Sequence, residues 1–359
     1  MAQDPSDLAR FVASHGGDRS LKVEESLGGG YVRLRVAEAE RRQAKHDIRW
    51  VEDAVIEMLR NARDAGARHI YLASSREGSV RTITMLDDAV GIPREMHERV
   101  FDARVTSKLD SVHLDRWGVH GRGMALYSIR ENALSARVVD SAPQKGSSIQ
   151  AVFDVDSLQE RSDQSTWPTL VEDEGGSLGF RGPRNIIRCC CEFSQEDRGC
   201  ELYLGSPAEI VATVRSNVRL SVEGSALLFI DSLDDLPVLE RLKLAADAGE
   251  LLQVSSSLGL DMSERTAHRI LAGQVTPVRS VASHFRKSRH ATRAGRKVDL
   301  ARDRRGLRIS PEDLGEFSRA MERDFAPLAQ RYYLSLASEP RVRVSHGRVT
   351  VTFEVDEGD

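Results

Sequence analysis

Glu57, Asn61 and Asp64 stand at i, i+4 and i+7 within residues 50–67, where Val55, Met58, Leu59 and Ala62 take the opposite side. At 3.6 residues per turn this spacing predicts a helix that lines a carboxylate, an amide and a second carboxylate along one surface. A helix built only to pack rarely needs that set. An amide oxygen is a suitable ligand for a hard cation, and a carboxylate one turn earlier can orient and deprotonate a water molecule. Two further segments follow. Asp87-Asp88-Ala89-Val90-Gly91-Ile92-Pro93 leaves a predicted strand, where the Asp87 carboxylate can accept a hydrogen bond from an exocyclic amine. Gly118-Val119-His120-Gly121-Arg122-Gly123 precedes an apolar helical pattern over residues 124–132. Glycines there let the backbone wrap around phosphates and present N–H groups, and the next helix offers its positive end. In this order the three segments describe a nucleotide site.

The motifs resemble those of the GHKL superfamily, the ATPases of gyrase, the heat-shock chaperone, histidine kinases and MutL. Its helical Glu-x-x-x-Asn-x-x-Asp-Ala is matched from Glu57 to Ala65. Its Asp-x-Gly-x-Gly is matched at Asp87 and Gly91, with Ala89 in place of the first glycine, and its Gly-x-x-Gly-x-Gly in full at Gly118, Gly121 and Gly123. The resemblance covers roughly residues 38–155. It implies ATP and Mg²⁺ as ligands, Glu57 as general base, Asn61 as the Mg²⁺ ligand and Asp87 as the reader of adenine. Asp64, Gly91, Gly118, Val119, Gly121, Arg122 and Gly123 would complete the nucleotide site, and Ser147 resembles the family's Thr or Ser that supports the aspartate. Residues 101–109 look like the Thr-Ser-Lys lid segment of MutL and, more loosely, the Ser-Lys segment of the topoisomerase VI B subunit. Lys108 there either contacts a phosphate or stays solvated. Ala89 is a departure: if the family glycine takes a positive φ, a methyl group costs on the order of 1 kcal/mol and weakens nucleotide binding.

At 359 residues two or three domains are expected, and a formal net charge of −4 gives no global attraction to nucleic acid. The first residues carry neither a basic region nor an apolar run, and no stretch is long and apolar enough to span a bilayer, so a cytoplasmic location is expected. The four cysteines, Cys189, Cys190, Cys191 and Cys200, lack the paired spacing of a zinc site and read as reduced thiols on a buried strand.

The elements that must position the site follow from periodicity. Residues 32–43 read as a polar helix, 69–73 and 80–86 as a strand pair ending at Asp87, and 136–139 with 148–153 as a second pair. This order predicts an α+β fold: a GHKL (Bergerat) α/β sandwich with helices on one face of a mostly antiparallel sheet, then a small α/β domain and a helical region. Expected domains are an extension (1–37), the ATP-binding domain (38–160), a Gly- and Ser-rich linker (161–183), a small α/β domain (184–235) and a basic helical region closed by a hairpin (236–359). Within them, 185–193, 201–204 and 225–230 read as strands and 208–217 as a helix.

Between Glu264 and Arg308 the basic residues Arg265, Arg269, Arg279, Arg286, Lys287, Arg289, Arg293, Arg296, Lys297, Arg302, Arg304, Arg305 and Arg308 face only Glu264, Asp299 and Asp303. That concentration suggests a surface that tracks DNA phosphates or a basic solvated face, and residues 257–271 look like a helix-turn-helix with a longer turn. The expectation is an ATPase whose nucleotide state controls homodimerisation, in DNA topology (a type IIB topoisomerase B subunit) or MutL-like DNA processing, with a separate protein to cut DNA. The alternatives are an ATP-gated binding module with little turnover and a histidine-kinase-like protein kinase.

Overall fold

In the computed structural model, the described residues are 23–36, 38–107, 113–115, 118–120, 123–172, 178–221, 232–285, 310–345 and 348–357. The chain divides into two compact units, Met1–Phe285 and Arg286–Asp359.

The first unit opens with β1 (Val23–Gly28) and β2 (Tyr31–Leu34), then α1 (Glu38–Asp47), α2 (Val51–Asp64), β3 (His69–Glu77) and β4 (Val80–Asp87). Next come β5 (Val105–Thr106), β6 (His113–Asp115), β7 (Gly118–His120), α3 (Ala125–Asn132), β8 (Ser135–Ser141) and β9 (Ser147–Asp154). It continues through β10 (Thr169–Glu172), β11 (Leu178–Arg181), α4 (Ile186–Glu196), β12 (Glu201–Gly205), α5 (Pro207–Asn217), α6 (Val238–Leu244), α7 (Ala248–Ser257) and α8 (Glu264–Leu271). The second unit holds α9 (Pro311–Arg331) and the strands β13 (Leu334–Leu336), β14 (Arg341–Ser345), β15 (Arg348–Thr352) and β16 (Val355–Glu357). There β14 pairs with β15, as the predicted closing hairpin requires, β13 pairs with β16, and Phe325 stacks on Phe353 at 4.6 Å.

The helix that carries the first motif forms where its apolar period demands it. Val51, Ala54, Val55, Met58, Leu59 and Ala62 of α2 are buried on one side. Asp53 accepts hydrogen bonds from the Arg49 and Trp50 N–H groups at the start of the helix, at 2.9 and 3.0 Å. Gly66, at φ +85°, ends it, with the Ala67 N–H reaching back to the Ala62 carbonyl.

The main sheet runs β12-β3-β4-β9-β8, antiparallel except for the parallel pair β12/β3. Side chains alternate across it. Ile70, Leu72, Ile83, Met85, Ile149, Ala151 and Phe153 join α2 and α4 in one core, whereas Tyr71, Ala73, Leu86 and Tyr203 join α5 to α8 in another. The expected one-sided sandwich is therefore covered on both faces. The second layer is tied down by polar bonds too: Thr84 Oγ1 and Ser148 Oγ donate to the carbonyls of Gly259 and Leu258 at 2.9 and 2.7 Å. These carbonyls belong to the turn between α7 and α8, the segment predicted as helix-turn-helix. Residues 257–271 hold only the last residue of α7, a turn packed on the sheet and one full helix, α8, whose Arg265, His268 and Arg269 remain exposed.

Three other expectations change. Residues 32–34, predicted helical, belong to β2 because that strand pairs with β1 and β5. The triple cysteine lies on α4, not on a strand: Asn185 caps the helix by accepting from the Arg188 N–H at 2.8 Å, and Arg188 pairs with Glu192 at i+4. All four thiols are free, and burial pushes those of Cys191 and Cys200 up to about 12. Residues 161–183 do not act as a linker. Gln164 and the Arg161 N–H donate to Glu52 at 2.5 and 3.1 Å, Phe180 of the β10/β11 hairpin is buried, and beyond it β12 joins the same sheet as β3. No domain boundary can fall where a sheet is continuous. The predicted strand at 225–230 and most of the basic run, from residue 286 to 308, lie outside the described residues. No described helix is long and apolar enough to cross a membrane.

Candidate functional site

A cavity of about 640 Å³ opens between α2, the end of β4 and the segments on either side of β5 and α3. The α2 residues Glu57, Asn61 and Asp64 line it, as do Asp87, Gly91, Gly123 and Ser147. Residues of the first two motifs and Gly123 of the third thus converge on one space, while Gly118 and Val119 are not among its lining residues. Its apolar walls include Ile56, Met85, Val100 and Ile149, and its volume lies within the range that takes a nucleotide-sized ligand.

Asp87 forms the deep end. Its side chain is buried, with one oxygen accepting from Ser147 Oγ at 2.6 Å and the other from the Ala89 N–H at 2.9 Å. Burial raises its carboxyl to about 6, against the pull of those two donors. Ser147 sits opposite Asp87 in the β4/β9 ladder, so the hydroxyl and carboxylate meet by strand register. Asp88, next in sequence, faces away: it accepts from the Arg68 and His69 N–H groups and contacts His69 Nδ1, pinning the start of β3 to the end of β4.

Two glycines are required by contact. A Cβ at Gly91 (φ +74°) would lie 2.0 Å from the Ala142 carbonyl oxygen, and one at Gly146 (φ +75°) 2.1 Å from that of Asp87. Ser141 holds the two turns together, accepting from the Ile92 N–H at 2.7 Å and donating to the Gly146 carbonyl at 2.8 Å. Ala89, by contrast, is not among the described non-glycine residues at positive φ, and its methyl is buried in the core. The departure from the glycine motif imposes no backbone strain there.

Toward the opening, Gly123 accepts a hydrogen bond from the Arg104 N–H at 2.8 Å, and Arg104 in turn accepts from the Leu34 N–H. Arg104 is buried at φ +60° and lines the cavity with Thr106, Ser107 and Tyr31. The motif reading missed these four and Arg60. Arg104, Thr106 and Ser107 lie within the 101–109 segment read as a lid, where only Lys108 was given a role, and nothing in the sequence pointed to Tyr31 or Arg60. Gly118 and Val119 were expected in a loop but belong to β7, where they pair with Asp115 and Leu114 of β6. Lys108, Gly121 and Arg122 lie outside the described residues.

Among the described residues no group of three or more His, Cys, Asp or Glu gathers that could hold a metal by itself. The donor set on α2 suits a magnesium ion shared with a phosphate chain, which needs one or two protein oxygens and keeps the rest of its shell for phosphate and water.

Residues 46–157 match the family model described as histidine kinase-, DNA gyrase B-, and HSP90-like ATPase. The chain is similar to the DNA mismatch repair protein MutL of Thermus aquaticus, 42% identical over 84 residues, which are 23% of this chain and 15% of that protein. It is also similar to MutL from two strains of Thermus thermophilus, 39% identical over 147 residues, 40% of this chain and 26% of each relative. The match spans about a quarter or less of the relatives' own length.

Proposed function

The chain belongs to the GHKL superfamily through residues 46–157, and from that premise we propose that it binds ATP with Mg²⁺, hydrolyses it, and uses nucleotide state to control homodimerisation in MutL-like DNA processing. The observation that carries ATP binding is the buried Asp87 carboxylate, held by Ser147 and the Ala89 N–H at the end of a cavity whose wall bears Glu57 and Asn61. Each Asp87 oxygen already accepts one bond and retains a lone pair for an adenine amine.

Asn61 is assigned to the Mg²⁺ ion and Glu57 to the proton of the attacking water, one helical turn apart. Asp64, Gly91, Gly123 and Ser147 shape the nucleotide site, with Lys108, Gly118, Val119, Gly121 and Arg122 assigned by motif. Bound magnesium supplies charge neutralisation for the triphosphate. Glu57 takes the water proton as the new bond to the γ-phosphorus forms and the bond to the ADP oxygen breaks.

The MutL relatives favour mismatch repair over DNA topology. DNA contact is assigned to residues 264–308, of which α8 presents Arg265 and Arg269, and strand cleavage to a separate protein. The reading as a binding module without turnover rested on Ala89, and the unstrained backbone there removes its support.

Titration calorimetry with Mg·ATP should show binding to the wild type and a loss of about 10- to 100-fold in Asp87→Ala, the weight of one hydrogen bond to a charged acceptor. Equal affinity in the two proteins would sink the assignment.

A further inference from the structure

Position 60 is one the superfamily motif leaves unspecified, and this chain fills it with arginine. Arg60 lies on α2 one turn after Glu57 and donates from Nη1 to Glu57 Oε1 at 2.5 Å. Its side chain is 4% exposed, and Glu57's is 21% exposed. Both line the nucleotide cavity.

A guanidinium is costly to bury, and a surface i, i+3 pair is worth only a few tenths of a kcal/mol, so helix stability alone is a poor reason for it. The chemistry of the site supplies a better one. A triphosphate brings several negative charges beside Glu57, and nearby like charge drives a carboxylate to take up a proton. A protonated Glu57 cannot accept the proton of water. Among the described residues, the other charged groups lining the cavity are Asp47 of α1, Asp53 and Asp64 of α2, Asp87 of β4, and Arg104 before β5, so acids outnumber bases in that set. An arginine stays charged at every working pH, whereas a lysine in the same place could lose its proton.

We propose that Arg60 is a positioning residue for hydrolysis, which holds the Glu57 carboxylate ionised and aimed when the triphosphate is bound. The inference rests on the ATPase reading and on Glu57 as its base. The bound water loses its proton to Glu57, not to Arg60, whose charge is the same before and after the step. Arg60 therefore affects the rate through Glu57 and leaves product binding largely alone.

The test uses the full chain and compares wild type, Arg60→Met, Arg60→Lys, and Glu57→Gln with and without Arg60→Met. In Arg60→Met, kcat should fall about 10- to 100-fold, a part of what a general base contributes. ADP affinity should change by less than about threefold, and the acid limb of the pH–rate profile should move up by about one pH unit. Arg60→Lys should bring that limb back toward the wild type, and Arg60→Met should add nothing to the loss in Glu57→Gln. Thermal melts and ADP binding establish that each variant is folded; if Arg60→Met is not, Arg60→Gln, which also removes the charge, takes its place in the pH–rate comparison and in the pairing with Glu57→Gln. A wild-type rate and pH limb in Arg60→Met overturns this proposal alone, as does loss of kcat and ADP affinity together. A wild type that binds Mg·ATP and never turns it over overturns the hydrolytic reading and the role of Arg60 with it.

Discussion

Burial pushes the Asp87 carboxyl up from 3.8 to about 6, and the Ser147 hydroxyl and Ala89 N–H offset only part of that rise. The unfolded chain ionises near the lower value. The fold therefore prefers protonated Asp87: that contribution is fully present below about pH 3.8 and is lost as pH rises through 6. At neutral pH the ionised carboxylate costs the apo fold about 3 kcal/mol, from about two pKa units at about 1.36 kcal/mol each. Asp87→Asn keeps an acceptor for the Ala89 N–H and a donor for Ser147 but carries no charge. Its melting temperature should exceed that of the wild type at about pH 8, with the gap closing as pH falls from about 7 to about 4, while Mg·ATP affinity drops. A gap that is the same at every pH would mean that the carboxylate bears no burial penalty. Residues such as Asp87, Asn61 and Glu57 were legible in the sequence because motif spacing identifies them. Arg60 and Arg104 were not, because neither occupies a defined motif position and their burial depends on the folded neighbours.

At the scale of elements, the two turns that meet at Ser141 are the parts with least tolerance. Alanine at Gly91 or Gly146 faces a left-handed backbone and a carbonyl oxygen at about 2 Å, whereas Gly78 is left-handed at φ +59° with nothing within 4 Å. Urea denaturation should show Gly78→Ala losing about 1 kcal/mol and the other two clearly more, up to about 3 kcal/mol from backbone strain before any clash is added. Equal losses at all three would deny the close approach. The helix α2 could be read from its 3.6-residue period and β4 from alternation, with β3 and the β8/β9 pair placed as short apolar runs bounded by turns. The helix α4 could not, since Ile186-Ile187 and three cysteines suggest a strand, while its true signals were the Asn185 cap and the Arg188–Glu192 spacing. The second layer did leave a trace: Ile70-Tyr71-Leu72-Ala73 is apolar without alternation, the mark of a strand buried on both faces. The strand β12 was read at 201–204, but its parallel pairing with β3 left no trace, because pairing between distant segments is not written in either one's periodicity.

At the scale of the molecule, the proposed nucleotide switch predicts a change of mass or shape. A non-hydrolysable ATP analogue with Mg²⁺ should convert monomer to dimer, or close an existing dimer, in light scattering and small-angle scattering. Unchanged mass and shape would argue against nucleotide-controlled association. The continuity of the sheet from β12 to β8 also bears on how the protein comes into being. Every residue assigned to the nucleotide site precedes residue 160, yet β3 acquires its second neighbour, and Tyr71, Ala73 and Leu86 their cover, only from residues beyond 200. As a chain emerges from the ribosome, the whole site is therefore translated while one side of its sheet is still bare. The sheet that carries the site is completed and covered only once the later residues are made, so the nascent protein passes through a stage in which its motifs are complete and its fold is not.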